Sequence, residues 1–157
     1  MIPLAKKPQD AAVALLRQAN ALAPRRNRAS DGLLPSAAHV KQNPNSDHNS
    51  GFAVDLTHDP KNGVDCRVIW SELKKDKRVK YLIFNGRIWS ASKGENTYNG
   101  ANKHEKHLHV SIKENCGKDT SDWFPWVGGP KKWNKVKSKF IRVNRKKKEV
   151  PSPKEDE

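Results

Sequence analysis

Two stretches of the chain alternate so regularly between apolar and polar side chains that only a half-covered sheet accommodates them. In "GFAVDLTH" (51–58) Phe52, Val54 and Leu56 share one side, and Ala53, Asp55 and Thr57 share the other. In "HEKHLHVSI" (104–112) Leu108, Val110 and Ile112 oppose His107, His109 and Ser111. Successive side chains of a strand point to opposite faces, so each segment offers one face for packing and one polar face that can meet its counterpart at a single site. Between them, "VKYLIFNGRIWSA" (79–91) joins two β-rich runs through Asn85-Gly86, the dipeptide favoured where both turn residues need positive φ, and predicts a hairpin.

Helices to cover the apolar face are predicted on either side of the first strand. Ala12, Leu15, Leu16, Ala19 and Leu22 recur near a 3.6-residue period across 10–23, with Asp10 as a cap and Pro24 beyond the end. A second helix is predicted over 65–77, starting near Asp65. The fold class expected is therefore α+β: a small, mainly antiparallel sheet with helices on one face and a polar site on the other. Residues 25–50, rich in Arg, Asn, Ser, Pro and Asp, read as a long surface loop, which in a compact domain usually serves function.

Only 34% of the 157 residues are hydrophobic, which fits one compact domain, 1–129, followed by a basic, flexible tail, 130–157. The net charge of +14 favours anionic partners, and a net +7 of it lies in the last 28 residues. Cys66 and Cys116 match no metal motif and are expected to be buried thiols, with a disulfide between them the alternative. "MIPLAKKPQD" contains no apolar stretch of signal-peptide length, so the expectation is a product made in the cytoplasm that reaches any extracytoplasmic target by another route, after release.

Catalytic Zn²⁺ takes three protein ligands from imidazoles and carboxylates and leaves the fourth tetrahedral position open. His48 from the loop, Asp55 from the adjoining strand and His109 from the later strand would form such a set, with Gly51 and Ala53 leaving room around the ion. The pattern Ser46-x-His48-x-x-Gly51-x-Ala53-x-Asp55, followed about fifty residues later by His104-x-x-His107-x-His109, resembles the zinc peptidases of peptidoglycan. That group joins D-alanyl-D-alanine carboxypeptidases and dipeptidases, L-alanyl-D-glutamate endolysins, penicillin-insensitive murein endopeptidases and the hedgehog signalling domain. The resemblance covers roughly residues 10–127, and "RASDG", "DLTHDP", "FNGRIWS" and "YNGANKHEKHLHVS" are similar to phage and prophage members.

The resemblance implies a hedgehog/DD-peptidase-like fold, Zn²⁺ as cofactor, His48, Asp55 and His109 as its ligands, and a metallopeptidase acting on bacterial peptidoglycan as a phage endolysin. One departure bears on the base. The carboxypeptidase branch carries a carboxylate three positions before the last zinc histidine, where this chain has Lys106. The base role therefore passes to His107 first and His104 second, with Glu105 a third candidate if its strand begins that early. Arg28 is the candidate for an oxyanion or a substrate carboxylate, while His39 and His58 have no place in the motif.

The partners expected are peptidoglycan and, through the tail, an anionic envelope surface; a monomer is expected, and no specific nucleic acid. Two other readings compete: a basic nucleic-acid-binding protein with a structural histidine cluster, and a non-catalytic zinc domain of the same fold. Residues 131–148 carry ten Lys/Arg and no acid, with Trp133, Val136, Phe140 and Val143 near one side of a helix, an amphipathic basic pattern. A chain ending at Pro130 is expected to cleave soluble muropeptides at an unchanged rate and to bind sacculi and anionic vesicles more weakly, the gap narrowing as salt is added. Equal sedimentation of both chains at low salt would dismiss a targeting role.

Overall fold

The computed structural model describes residues 7–35, 40, 41, 43 and 45–127. His39, the domain boundary near 129 and the basic segment 131–148 lie outside the described residues. The elements run α1 (Asp10–Leu22), β1 (Ala53–Thr57), α2 (Cys66–Leu73), β2 (Val79–Phe84), β3 (Arg87–Ser90), β4 (Gly94–Thr97) and β5 (His107–Ile112). The strands form one sheet in the order β1-β5-β2-β3-β4, and every neighbouring pair is antiparallel. Among the described residues no helix is long and apolar enough to cross a membrane.

Alternation places the core where the sequence pattern puts it. Val54 and Leu56 of β1, Leu82 and Phe84 of β2, and Leu108, Val110 and Ile112 of β5 are buried in one cluster with both helices. Burying each such side chain stabilises by about 1.5–3 kcal/mol. On α1 the buried residues are Ala11, Ala12, Ala14, Leu15 and Ala19, small enough for the helix to lie close against the sheet. Gln9, not Asp10, precedes the first turn, and Asp10 lies within it, where its charge complements the helix dipole. The chain past β5 returns across α1: Trp123 is fully buried, its indole N–H donating to the Ala11 carbonyl at 2.9 Å and its backbone N–H to Gln18 Oε1 at 2.8 Å.

Asp65 begins α2 as expected, its carboxylate accepting from Arg67 N at 3.0 Å and from the Arg67 guanidinium at 2.8 Å. The helix stops at Leu73, short of the expected 77. Asp76 ends it: its side chain accepts from the backbone N–H of Arg78 at 2.9 Å and from that residue's guanidinium, turning the chain into β2. Asn85 and Gly86 have φ of 49° and 77°, the positive pair that the hairpin requires. The strand β4 was not expected, because "GENT" is polar, largely exposed and poor in β-branched and aromatic residues; its pairing with β3, Trp89 opposite Glu95, is what makes it a strand. Cys66 is buried and free, with burial pushing its thiol well above the ordinary range. Cys116 is also free but only half-buried, because it lies in a short helical turn on the surface past β5.

The capping role of Asp65 has a pH signature. Burial opposes its ionisation, but the hydrogen bonds and charge of Arg67 outweigh this and hold the carboxyl below its ordinary value. A lowered folded pKa gives stability that is full above the unfolded value and is lost as pH falls through the folded one. Asp65→Ala is expected to cost about 0.5–2 kcal/mol at neutral pH. Urea unfolding of both proteins should show the difference shrinking below about pH 4; a pH-independent difference would remove the carboxylate from the account.

Candidate metal centre

The face of the sheet away from the helices carries the polar residues. In the β1–β5 register Asp55 lies opposite His109, Thr57 opposite His107 and Ala53 opposite Ser111. On the other side of β5, Tyr81 lies opposite Ser111 and Ile83 opposite His109. The side chains of Asp55 and His109 thus meet because they are direct cross-strand partners on one face. His48 arrives from the loop on a short helical turn, Asp47–Ser50, whose preceding residue Ser46 accepts from His48 N through its hydroxyl at 3.3 Å.

His48 Nε2 lies 3.2 Å from Asp55 Oδ2, and His109 Nδ1 lies 3.2 Å from Asp55 Oδ1. Ligand atoms of the three residues all fall within 4.8 Å of one another, and the group could hold a metal ion. Two ligands about 2.0–2.1 Å from a tetrahedral ion are about 3.3 Å apart, close to both separations. Protonation points the same way. His48 Nδ1 is 2.7 Å from the Leu33 carbonyl, which only accepts, so that nitrogen carries the hydrogen and Nε2 turns its lone pair towards the carboxylate. Either a proton or a cation must lie between two such electron-rich atoms. Accordingly, although burial favours the neutral ring, the hydrogen bond and charge of Asp55 raise the pKa of His48. Asp55 is held far below the usual carboxylate range, burial being overcome by hydrogen bonds from His109 and His48.

His107 and His104 flank this group. His107 Nε2 is 3.7 Å from Asp55 Oδ1, and the His104 ring lies 4.9 Å from that of His107 and 5.8 Å from that of His109. His104 has φ of 57°, a conformation uncommon outside glycine and one that collects at functional sites. Asn102 holds it there, its side-chain oxygen accepting from His104 N at 3.0 Å and its carbonyl from His104 Nδ1 at 2.8 Å. Burial and then the neighbouring His109 and His107 lower His104 to about 4, so it is neutral at physiological pH. Burial likewise lowers His107.

The chain matches no protein-family model, no curated protein and no solved structure. The geometry gathers five of the residues expected from the sequence: His48, Asp55, His104, His107 and His109. Arg28 is exposed, and its Nε donates to Asn20 Oδ1 at 2.9 Å, tying it to α1 on the opposite face. Glu105 is exposed and precedes β5, which begins only at His107, so the alternation that would align it with His109 does not reach it. His58 belongs to the fold: its Nδ1 accepts from Cys66 N at 3.0 Å at the start of α2.

Gly51 does something other than leave room for an ion. With φ of 80° it ends the turn that carries His48, and a Cβ there would come within 3.0 Å of the backbone of Pro8 and Gln9. The glycine that crowds the site is Gly32, missed as a site residue in the sequence. It pairs with the Asp55 backbone, Asp55 N donating to Gly32 O at 2.8 Å, and a Cβ would lie 3.1 Å from Asp55 Oδ2. Its neighbour Asp31 clamps the same loop to β1. Asp31 Oδ1 accepts from Thr57 N at 3.0 Å, Thr57 Oγ1 at 2.7 Å and buried Arg26 Nη1 at 2.9 Å. The "RxxxxDG" spacing that brings these together was the available signal, but Arg26 stands in an arginine-rich run that reads as solvated.

Removing Asp31 would strand Arg26, whose side chain is fully buried. Asp31→Ala is expected to cost roughly 3–5 kcal/mol in urea unfolding, as for a buried pair that loses one partner. A loss under about 1 kcal/mol, the range of a surface pair, would contradict the clamp.

Proposed function

We propose that the protein is a zinc-dependent peptidase that hydrolyses a peptide bond in bacterial peptidoglycan, in the manner of a phage endolysin. The observation that carries this reading is the convergence of His48, Asp55 and His109 on one point with two further imidazoles, His107 and His104, beside it. A purely structural metal site is closed by a fourth protein ligand, usually cysteine or histidine, whereas three ligands with an accessible side are the pattern of catalytic sites. Half-buried His104 and His107 line that side.

His48 Nε2, the Asp55 carboxylate and His109 Nδ1 would hold the ion. Zinc, when bound, supplies a Lewis acid that polarises the scissile carbonyl and makes water nucleophilic near neutral pH. The chain's own residues manage the protons. His107, adjacent to Asp55, takes the proton from the attacking water at Nε2 and returns it to the leaving amine nitrogen, so the ring ends each cycle as it began. His104, pinned through Nδ1 to the Asn102 carbonyl, keeps its lone pair at Nε2 and would steady the neighbouring His107 ring, 4.9 Å away between centres.

Elemental analysis of protein purified without added metal is expected to find one zinc per chain, and His48→Ala and Asp55→Ala to lose it. His107→Ala is expected to keep the metal and to lose about 10²–10⁴-fold in turnover on purified peptidoglycan, read by mass spectrometry of the fragments. Near-normal hydrolysis by His107→Ala together with its loss in Glu105→Gln would transfer the base role to Glu105. Full zinc occupancy without hydrolysis in the unmodified protein would leave a non-catalytic zinc domain.

A further inference from the structure

Two tyrosine rings meet the imidazoles of the site. That of Tyr81 is laid over His109 from the neighbouring strand, with centroids 5.4 Å apart and planes 17° from parallel. That of Tyr98 comes from the segment between β4 and β5 and stands edge-on to His104, with centroids 5.6 Å apart and planes at 78°. The first is fixed by the sheet, in which Tyr81 lies opposite Ser111. The second has no strand to hold it, and neither has His104, which precedes β5 and keeps a positive φ uncommon outside glycine.

The loop that carries both is mounted on the tip of the β2–β3 hairpin. Gly86 O accepts from Tyr98 N at 2.8 Å, while Gly86 N donates to Lys103 O at 2.8 Å and Asn85 N to His104 O at 2.9 Å. Lys103 Nζ closes the loop on itself, donating to Tyr98 O at 3.3 Å. Both ends of "YNGANKH" (98–104) are therefore pinned to one two-residue turn. Between those ends the loop is exposed apart from half-buried Gly100, and it is over this glycine that the Tyr98 ring lies. A Cβ at position 100 would overlap Tyr98 Oη and Cζ and lie 2.6 Å from Cε2, closer than two side chains approach, so the ring keeps its place only while position 100 has no side chain.

We propose that Tyr98, folded over Gly100, is a positioning residue that holds the His104 imidazole at the metal centre beside His107. An edge-on aromatic pair at this separation is favourable because the positive rim of one ring meets the negative face of the other, and a tyrosine ring is ordered at the cost of only two χ angles. The contact requires the ring and not the hydroxyl. Tyr98 acts through His104, so its effect on turnover rests on the peptidase reading, whereas the contact itself does not depend on that reading.

The test compares the full chain with Tyr98→Ala, Tyr98→Phe, Gly100→Ala and the double variant Tyr98→Ala/Gly100→Ala. Cross-relaxation between the carbon-bound ring protons of His104 and His107, whose centroids are 4.9 Å apart, is expected to weaken in Tyr98→Ala and Gly100→Ala and to persist in Tyr98→Phe. On purified peptidoglycan, kcat is expected to fall about 2- to 10-fold in Tyr98→Ala and Gly100→Ala, the range that one such ring contact is worth, with KM and zinc content unchanged and with Tyr98→Phe restoring the rate. Gly100→Ala should add nothing in the Tyr98→Ala background, because its effect passes through the ring it displaces. Undiminished His104–His107 cross-relaxation in Tyr98→Ala, or an equal cost of Gly100→Ala in both backgrounds, would overturn the proposal and leave the peptidase reading intact. Weakened cross-relaxation in a protein that hydrolyses no wall would sink the peptidase reading and leave the contact standing.

Discussion

The register between β1 and β5 is the constraint on which the rest depends. Asp55 faces His109 only while Val54 and Leu56 pack beside Leu108 and Val110 on the opposite side. A slip of one residue would carry the carboxylate and the imidazole into the core and the aliphatic side chains into water. Burial of the apolar face, worth several kcal/mol over these four residues, therefore also pays for a cross-strand pair of polar groups that has no comparable driving force of its own. Stability and chemistry share one geometric requirement on two faces of the same strands.

Strands alone bring together only Asp55, His107 and His109. The remaining parts come from loops, which need their own restraints. Residues 26–32 are held against β1 by the Arg26–Asp31–Thr57 network and by the backbone pairing of Gly32 with Asp55. That placement presents the Leu33 carbonyl to His48 Nδ1 and so sets which nitrogen of His48 faces the carboxylate. The turn bearing His48 closes on Gly51, whose positive φ and close approach to residues 8 and 9 no other residue would tolerate. Ordering these segments costs conformational entropy, and buried hydrogen bonds to a charged clamp are the means by which a polar loop offsets it.

What was legible in the sequence follows from periodicity. Alternation identified β1 and β5 and the face of each residue, a 3.6-residue period identified α1, and Asn85-Gly86 identified the hairpin, because each is a local rule that the tertiary structure obeys. Polar β4 was illegible, since its only reason to be extended is pairing with β3. The end of α2 was misjudged because Asp76 turns the chain through a side chain whose partner is two residues on. At the site, residue types that ligate metals were visible as such. Gly32, Asp31 and Tyr81 were not, because their roles arise from distances across the fold: a Cβ that would crowd a carboxylate, a buried guanidinium, a ring laid over an imidazole. Arg28 shows the converse, an arginine near the right motif whose partner is on the other face.

The claim on which everything chemical rests is that His48, Asp55 and His109 bind one metal ion together. Anomalous diffraction at the zinc edge from crystals of the zinc-loaded protein tests it most directly. A single strong peak is expected, bonded to His48 Nε2, the Asp55 carboxylate and His109 Nδ1, with His107 and His104 beside it and unbonded. A peak at Cys66 or Cys116, or at His104 and His107 without Asp55, or no peak at all in protein saturated with zinc, would contradict it.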